Sequence, residues 1–311
     1  MTDNFTVFAR HKFGLDPRIA AAARIIDGTD GVPPDPATLR DVAAIVIAGR
    51  NPLPNTFMDQ CPRLRHIHCI GAGFDNIDMG YARTRDLYVT HGSGANASSV
   101  ADHALALLLG LLRRLPELDR SVRAGEWRTN AVGGELSERR VGLIGFGQIG
   151  QAIARRLAAF DAKVTYMATR KRDEAPYDFA PDIATLTERC DTLIVACPDT
   201  PATRHIVDRA ALARLGKEGL VINIGRGPVI ATDDLIAALR DGTIAGAGLD
   251  VFEGEPGVPE ALRALPNTIL TPHVAGSTLA SIRNMQDVAV ANVIAISAGR
   301  TPLNPVPGGR R

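Results

Sequence analysis

The glycine-rich segment GFGQIG at 145–150 is the feature that most restricts what this chain can fold into. It directly follows the apolar run RVGLI at 140–144 and opens the amphipathic stretch 148–160, so a strand, a tight turn and a helix are predicted in that order. Glycines in this pattern permit the turn, let a pyrophosphate approach the backbone and allow the helix to pack closely on the strand. Because both flanks fit, we favour a dinucleotide-binding turn over a glycine turn without a ligand. The predicted contacts are Gly145, Gly147, Gln148, Ile149 and Gly150.

The rest of the chain alternates short β-rich runs with helical stretches, which is typical of parallel α/β units. In the N-terminal part we predict strands at 6–9, 43–48, 65–70 and 87–90 and a helix at 16–26. From residue 98 onward we predict strands at 140–144, 163–167, 192–196, 220–224, 247–251 and 268–270, and helices at 98–115, 148–160 and 278–297.

With 311 residues, the chain is long enough for two domains of ordinary size. Ser99 and Asp102 have the spacing of a capping box ahead of an apolar helix, and we place the domain boundary just before them. Since the nucleotide unit lies in the middle of the chain, we expect the C-terminal helix to pack back onto the N-terminal domain. The prediction is a discontinuous substrate-binding domain, 1–95 with 287–311, and a dinucleotide-binding domain, 96–286. Both are expected to be doubly wound parallel sheets, one flavodoxin-like and one Rossmann, with a cleft between them.

The overall composition argues against several classes of partner. A net charge of +1 gives no electrostatic bias toward nucleic acid or anionic lipid, so neither nucleic acid nor a membrane is expected as a partner. The longest apolar run, 104–112, is shorter than the ~20 residues that cross a bilayer. Cysteines without a regular spacing, and no signal-peptide pattern at the N-terminus, favour a cytoplasmic location.

The residues after the second predicted strand of the nucleotide unit bear on the choice of cofactor. An NAD-selective site of this type has Asp or Glu at the end of that strand, where it binds the ribose hydroxyls. This chain has Ala168 there, followed by Thr169, Arg170, Lys171 and Arg172. A guanidinium can donate paired hydrogen bonds to a 2′-phosphate, so we predict that NADP(H) is preferred over NAD(H), with Arg170 as the main contact and Thr169 and Lys171 beside it. A solvated basic turn without a ligand is the alternative.

Six motifs in a fixed order carry a family resemblance between about residues 70 and 278. They are IGAGFDNID, SVADHALALLL, CPDTPATRHIV, LVINIGRGPVI, AGLDVFEGEP and TPHVAGST. Together with GFGQIG, they resemble the D-isomer-specific 2-hydroxyacid dehydrogenases, and within them the glyoxylate, hydroxypyruvate and hydroxyphenylpyruvate reductases. Two positions depart from the family pattern: Asp102 stands where Glu is frequent, and Ala168 stands where many members have the ribose-binding Asp.

The resemblance implies an activity and three catalytic residues. The activity is NADPH-dependent reduction of small 2-oxo acids, such as glyoxylate and hydroxypyruvate with aryl pyruvates as a further class, to D-2-hydroxy acids by hydride transfer. Arg226 is implied to bind the substrate carboxylate, and His273 to give the C2 oxygen its proton. Glu255, rather than Glu253, is implied as the partner of His273. A carboxylate bonded to one imidazole nitrogen orients the ring and favours its protonated form.

Further contacts and an oligomeric state follow from the same resemblance. Ala72 and Gly73 are implied to offer backbone N–H groups to the substrate, beside Arg226 and His273; a strand-end turn without a ligand is the alternative. Asp250 is implied to meet the nicotinamide carboxamide, and a strand-end acid bonded to a turn is the alternative. The other implied cofactor contacts are Cys197, Pro198, Thr203, Ile224, His273 and Gly276. The helix at 98–115 has more apolar surface than one domain easily hides, and in the family this region builds a dimer, so a homodimer is expected.

Other interpretations remain open at this level. Within the family, an NAD-linked dehydrogenase that works oxidatively would carry the same catalytic residues. A nucleotide-sensing binding protein, acting like the corepressors of the family, would keep the fold. His66 and His68 share a strand face with Cys69 next to them, but no carboxylate or second cysteine completes a zinc pattern, so no metal is expected. His91 and His103 are interpreted as turn and helix residues.

Overall fold

The computed structural model describes residues 5–10, 16–28, 32, 34–49, 51–127, 130, 132–306 and 310. The chain forms two compact units, one made of Met1–Asn96 with Ser277–Arg311 and the other of Ala97–Gly276. The second boundary therefore lies at 276/277 rather than at 286/287, since the C-terminal helix belongs to the first unit along its whole length. The predicted fold class, α/β with two doubly wound parallel sheets, is confirmed.

Strands and helices alternate along most of the described chain. The strands are β1 (Thr6–Arg10), β2 (Arg24–Asp27), β3 (Val42–Ile47), β4 (His66–Cys69), β5 (Tyr88–His91), β6 (Arg140–Ile144), β7 (Lys163–Met167), β8 (Asp178–Ala180), β9 (Thr192–Val195), β10 (Leu220–Asn223), β11 (Gly246–Leu249) and β12 (Thr268–Leu270). The helices are α1 (Pro36–Leu39), α2 (Asn55–Asp59), α3 (Met79–Thr84), α4 (Ala97–Leu112), α5 (Leu115–Arg123), α6 (Gln148–Ala159), α7 (Ile183–Arg189), α8 (Arg209–Leu215), α9 (Thr232–Arg240), α10 (Glu260–Arg263) and α11 (Leu279–Ser297). Short 3₁₀ segments lie at Pro17–Ala21 and Gly227–Val229.

The first unit is built on a parallel sheet in the order β2-β1-β3-β4-β5, which is the flavodoxin-like arrangement. Both faces of this sheet are covered. In β3, Ala44 and Val46 pack in the cluster that contains α11, whereas Ile45 and Ile47 pack in the cluster that contains residues of α1, α2 and α3. Burial on both faces explains why β3 is apolar at every position instead of alternating.

The predicted helix at 16–26 is wrong. Asp16 caps a single 3₁₀ segment, and the chain then forms β2, which pairs in parallel with β1. Ile19 is buried in the 3₁₀ segment, whereas Ile25 and Ile26 are β-branched residues that suit a strand. One helical turn followed by a short strand leaves the same apolar spacing as a short amphipathic helix, so periodicity alone could not separate the two.

The second unit is built on a parallel sheet in the order β12-β11-β10-β9-β6-β7-β8. This is the Rossmann order with β12 added at one edge. Helices α4 and α6 belong to the core cluster on one face, and α7, α8 and α9 belong to the cluster on the other. The three-residue strand β8 was not predicted, because a run this short carries no usable periodicity.

Helix α4 begins at Ala97, so the predicted capping box is wrong. Ser99 lies inside the helix and is buried. Asp102 accepts a hydrogen bond from Nε of Arg156 on α6 at 2.6 Å. The apolar side chains of α4, such as Leu108, are largely buried within the second unit itself. Across the part of the chain that is described, no helix combines the length and the apolarity needed to span a membrane.

Candidate active site

In the second unit, the sequence-predicted residues follow the carboxyl ends of successive strands. Because the strands of this sheet are parallel, all of these ends lie at the same edge. The glycine turn follows β6 and the basic turn follows β7. Arg226 follows β10, Asp250 and Glu255 follow β11, and His273 follows β12. Since β10, β11 and β12 are neighbours, the three side chains with predicted catalytic roles lie on adjacent loops.

The glycine turn is closely packed at Gly145 and Gly150 and open at Gly147. Gly145 has a φ of 99°, and a Cβ there would lie 2.7 Å from the carbonyl oxygen of Ala196. At Gly150, a Cβ would lie 2.2 Å from the carbonyl oxygen of Gly145, so the helix packs directly on the turn. At Gly147, no atom of a described, non-neighbouring residue lies within 4 Å of that position, which leaves space for a phosphate. Helix α6 begins at Gln148, with Ile149 in its first turn, and directs its N-terminal N–H groups to this space.

The basic turn after β7 presents its side chains to solvent. Thr169, Arg170 and Lys171 are exposed, and Ala168 is half-buried. Ala168, directly after β7, is an uncharged methyl side chain. The turn is therefore accessible to an anionic group and carries no negative charge at the strand end.

The loop after β9 is folded back on itself. Burial raises the pKa of the Cys197 thiol to about 12, so this side chain packs and does not act as a nucleophile. Pro198 is exposed, and its carbonyl oxygen accepts a hydrogen bond from Oγ1 of Thr203 at 2.7 Å. On the next strand, Ile224 is buried, and its N–H donates to the carbonyl of Val195 at 3.2 Å. Thr203 thus holds the loop at Pro198, and Ile224 binds the end of β9.

Arg226 is presented by a loop that Asn223 braces. Asn223 is 1% exposed, and its Nδ2 donates to the carbonyl oxygen of Arg226 at 3.0 Å while its Oδ1 accepts from the N–H of Gly225 at 3.1 Å. A Cβ at Gly227 would lie 2.0 Å from the carbonyl carbon of Phe252, so this loop packs on the loop that carries Glu255. Sequence reasoning missed Asn223. The sequence signal that could have identified Asn223 is a polar residue at the end of an otherwise apolar strand.

Glu255 and His273 form a hydrogen-bonded pair, with Oε2 of the glutamate 2.7 Å from Nδ1 of the histidine. The other oxygen, Oε1, accepts from the N–H of Phe252 at 2.9 Å. Burial pushes the pKa of Glu255 upward, but the hydrogen bonds from His273 and Phe252 and the charges of His273 and Arg226 outweigh it and leave this pKa below its ordinary value. Glu255 is therefore a carboxylate near neutral pH. Because a carboxylate only accepts, Nδ1 carries a proton, and Nε2 is left to act on a ligand.

Asp250 holds the segment that contains His273. His273 has a φ of 53°, in the left-handed region that few non-glycine residues adopt. The backbone carbonyl of Asp250 accepts from the N–H of His273 at 2.8 Å, and its carboxylate accepts from the N–H groups of Val274 and Ala275, each at 2.9 Å. Asp250 is 1% exposed. These hydrogen bonds hold the backbone of His273 in its unusual conformation, and the imidazole takes no part in them.

Thr271 extends this network to helix α4. Its hydroxyl donates to Oδ1 of Asp250 at 2.5 Å, so it can only accept from Nε2 of His103, which lies 2.9 Å away. His103 is a helix residue, as predicted, but it also ties α4 to the His273 loop. The sequence showed no sign of this tie, because the two partners are far apart along the chain. Gly276 ends the second unit after the same loop.

The two glutamates of EGEP have different partners. Glu255 contacts His273, as described above. Glu253 lies 3.1 Å from Nε2 of His205 through Oε1 and accepts from the hydroxyl of Thr232 at 2.9 Å through Oε2. Glu253 therefore joins the loop after β11 to the loop after β9 and to the start of α9.

Ala72 and Gly73 lie in the first unit, in the loop after β4. The carbonyl oxygen of Ala72 accepts from Nδ1 of His91, which lies 2.8 Å away. A Cβ at Gly49 would lie 1.8 Å from the carbonyl oxygen of Gly73, so two backbone segments meet closely there. His91 thus supports the loop from the end of β5.

His66 and His68 are core residues of the first unit. Nε2 of His66 and Nδ1 of His68 each lie 2.8 Å from the same hydroxyl, Oγ1 of Thr90, and both histidines are buried. Burial lowers the pKa of His66 to about 3, so its ring is neutral. Among the described residues, no group of three or more His, Cys, Asp or Glu side chains is placed to hold a metal ion.

Comparison with known proteins gives similarities that span both units. The model of the D-isomer specific 2-hydroxyacid dehydrogenase, NAD binding domain, matches residues 105–275. A glyoxylate/hydroxypyruvate reductase of Arabidopsis thaliana is 40% identical over 85% of this chain and 82% of its own. A hydroxyphenylpyruvate reductase of Plectranthus scutellarioides is 39% identical over 80% of each chain. The crystal structure of an NADPH-dependent glyoxylate/hydroxypyruvate reductase from Sinorhizobium meliloti, in complex with NADP and malonate, is 35% identical, covers 98% of both chains and has a TM-score of 0.89.

Proposed function

Because this chain belongs to the D-isomer specific 2-hydroxyacid dehydrogenase family, we propose that it reduces small 2-oxo acids to D-2-hydroxy acids with NADPH. Glyoxylate and hydroxypyruvate are the proposed substrates, with aryl pyruvates as a further class, in line with the relatives named above. The observation that carries the proposal is the 2.7 Å contact between His273 and Glu255, on loops adjacent to the one that bears Arg226.

The residues of this chain supply the binding and the proton. When bound, the reduced nicotinamide supplies a hydride to C2 of the 2-oxo acid. Arg226 binds the substrate carboxylate through paired hydrogen bonds and polarises the adjacent oxo group. His273 donates the proton on Nε2 to the C2 oxygen, so one hydride and one proton convert the carbonyl to a secondary alcohol. Glu255 keeps the ring oriented through Nδ1 and stabilises the imidazolium before it donates.

The ligands are assigned to named residues. We assign the dinucleotide to the second unit, with the pyrophosphate at Gly147 and the N-terminus of α6 and with Asp250 at the nicotinamide carboxamide. We assign the substrate carboxylate to Arg226. In the first unit, the N–H groups of Ala72 and Gly73 remain a prediction from the sequence. Support for the dinucleotide assignment comes from the open space at Gly147.

A screen of NADPH oxidation tests the proposal. The panel contains glyoxylate, hydroxypyruvate, pyruvate, phenylpyruvate and 4-hydroxyphenylpyruvate, each with NADPH and with NADH. Turnover of at least one 2-oxo acid with NADPH is expected. Turnover that is efficient only with NAD and a 2-hydroxy acid would identify an oxidative dehydrogenase, and no turnover of any panel member would favour a nucleotide-sensing binding protein.

The substitution Arg170→Ala should abolish the preference for NADPH. Its guanidinium is exposed on the turn where the 2′-phosphate is proposed to lie, and a hydrogen bond to a charged group contributes ~1.5–3 kcal/mol, or roughly tenfold to a hundredfold. We therefore expect kcat/KM for NADPH to fall by that factor while kcat/KM for NADH stays nearly constant. Arg155→Ala, in α6, is the matched control and should change neither value. A wild-type protein that prefers NADH would contradict the cofactor assignment.

Reduction should slow as the pH rises, because it consumes the proton of an imidazolium. The pKa of Glu255 is lowered, so its carboxylate persists across the neutral range and favours that imidazolium. Oxidation of the 2-hydroxy acid needs the neutral ring and should gain over the same range. In Glu255→Gln, the amide no longer stabilises the imidazolium, so kcat/KM for reduction should fall. Glu253→Gln, whose carboxylate contacts His205 instead, should keep the wild-type profile. Flat profiles in both directions would refute the assignment.

We also propose a homodimer, but through a different surface from the helix at 98–115 that the sequence suggested. Helix α4 is largely buried within its own unit, but no residue of α5 is buried. Val122 in α5 is 57% exposed, and beyond α5 Trp127 is 83% exposed and Val132 is 85% exposed. Large apolar side chains exposed in one region of the chain favour an interface there. Sedimentation at micromolar concentration should show a dimer that Val122→Asp with Trp127→Asp converts to monomer. Phe160→Asp, at an exposed apolar residue at the end of α6, is the control. A monomeric wild type would overturn the proposal.

The thiols fit a reducing cytoplasm, where we propose that the enzyme acts. Cys61, Cys69, Cys190 and Cys197 are free and buried. Burial raises the pKa of Cys61 to about 11 and that of each of the other three to about 12, so all four are protonated packing residues.

A further inference from the structure

We propose that Tyr166 is a positioning residue for cofactor selection, whose hydroxyl holds the basic turn so that Arg170 and Lys171 meet the 2′-phosphate of NADPH. The inference rests on the cofactor preference proposed above and extends it to a residue that makes no contact with the phosphate itself. Tyr166 lies in β7 and is among the largest fully buried side chains of the protein. A buried hydroxyl requires a hydrogen-bond partner, so the partner of the Tyr166 hydroxyl indicates which segment this side chain holds in place.

Both hydrogen bonds of the Tyr166 hydroxyl go to the backbone of one residue. The oxygen accepts from the N–H of Arg172 at 2.8 Å and donates to the carbonyl oxygen of Arg172 at 3.3 Å. The same carbonyl also accepts from the N–H of Ala175 at 3.1 Å. The chain thus leaves β7 after Met167, passes through the half-buried Ala168 and the exposed segment 169–171, and is held at Arg172. The cations of the turn stand on a short segment that is fixed at both ends.

The ring of Tyr166 also contacts the glycine turn. Phe146, which lies between Gly145 and Gly147, stacks on it with ring centroids 4.0 Å apart and an interplanar angle of 21°. Tyr177 meets Phe146 edge-on at 5.9 Å, and Phe179 meets Tyr166 at 5.5 Å. One side chain therefore touches both the turn proposed for the pyrophosphate, through its ring, and the turn proposed for the 2′-phosphate, through its hydroxyl.

The hydroxyl should matter for NADPH and not for NADH. The two cofactors differ only in the 2′-phosphate, and only the basic turn is proposed to bind that group. A segment that is already ordered binds more tightly, because less conformational entropy is lost on binding. Removing the hydroxyl frees the backbone of Arg172, so binding of the phosphate must then order the turn. NADH makes no use of that turn and should not be affected.

The test compares Tyr166→Phe with the wild type through the ratio of kcat/KM for NADPH to kcat/KM for NADH. Phenylalanine keeps the ring and its stack on Phe146, so the fold should persist, and an unchanged kcat/KM for NADH reports that it does. We expect the ratio to fall roughly fivefold, the scale of one net hydrogen bond. Tyr177→Phe is the matched control, since it removes a hydroxyl from the same aromatic cluster, and it should leave the ratio unchanged.

A double-mutant cycle separates a positioning role from a general one. If Tyr166 acts mainly through Arg170, then Tyr166→Phe should lower the ratio much less when Arg170→Ala is already present. Equal losses with both cofactors, an unchanged ratio, or the same fall in the Arg170→Ala background would each overturn the inference. If the wild type prefers NADPH and Arg170→Ala abolishes that preference, any of these three results refutes only the role of Tyr166. A wild type that prefers NADH refutes the cofactor proposal and this inference together.

Discussion

The substitution His273→Ala should lower kcat for 2-oxo acid reduction by about a hundredfold or more, which is the usual scale for loss of a general acid. Nδ1 of this histidine is engaged by Glu255, so Nε2 is the nitrogen from which the proton leaves. Without the ring, the oxyanion that forms as hydride arrives must take its proton from water. Fluorescence titration should show that the affinity for NADPH changes far less than kcat does, because the glycine turn and the basic turn are intact.

His205→Ala is a stringent control for this prediction. His205 also lies beside a glutamate, with Nε2 3.1 Å from Glu253, and it stands on another loop of the same unit. We expect its loss to leave most of the turnover. If folded His273→Ala protein kept more than about a tenth of wild-type kcat, His273 would fall outside the scale of a general acid and the proton would have to come from elsewhere.

The fold could be predicted from the sequence wherever an element was buried on both faces. The predicted strand at 192–196 agrees with β9 to within one residue, because strands in the middle of parallel sheets are apolar along their whole length. The prediction failed at 16–26 and missed β8. The short strands in these two places, β2 and β8, lie at the edges of their sheets. Edge elements bury less surface, so their sequences carry a weaker pattern.

The site shows a different division. The side chains proposed to carry the chemistry stand in motifs, so Arg226, Glu255 and His273 could be proposed from the sequence. Among the residues that hold them, Asp250 was open to interpretation as a strand-end acid bonded to a turn, and its carboxylate does bind the backbone next to His273. Asn223, which braces the Arg226 loop, could not be identified, because its hydrogen bonds leave no local periodicity.

The substitution Arg226→Gln should lower kcat/KM for 2-oxo acids by roughly thirtyfold to several thousandfold. Removing one partner of a hydrogen-bonded charge pair away from bulk water costs ~2–5 kcal/mol, and much of this reflects the charge that is left without its partner. Here that charge is the substrate carboxylate. Glutamine is long enough to keep one hydrogen bond but supplies neither the charge nor the paired donors of a guanidinium.

The conservative substitution Arg226→Lys separates charge from geometry. Lysine restores the positive charge without the planar pair of donors, so kcat/KM should lie between the values for wild type and Arg226→Gln. Arg204→Gln is the matched control, because Arg204 is an exposed arginine of the same unit that pairs with Asp199 at 2.8 Å, and its loss should leave kcat/KM unchanged. Steady-state kinetics with glyoxylate and hydroxypyruvate measure all three variants. Equal effects of the Arg226 and Arg204 substitutions would mean that the unit's overall charge, and not a specific carboxylate contact, governs substrate binding.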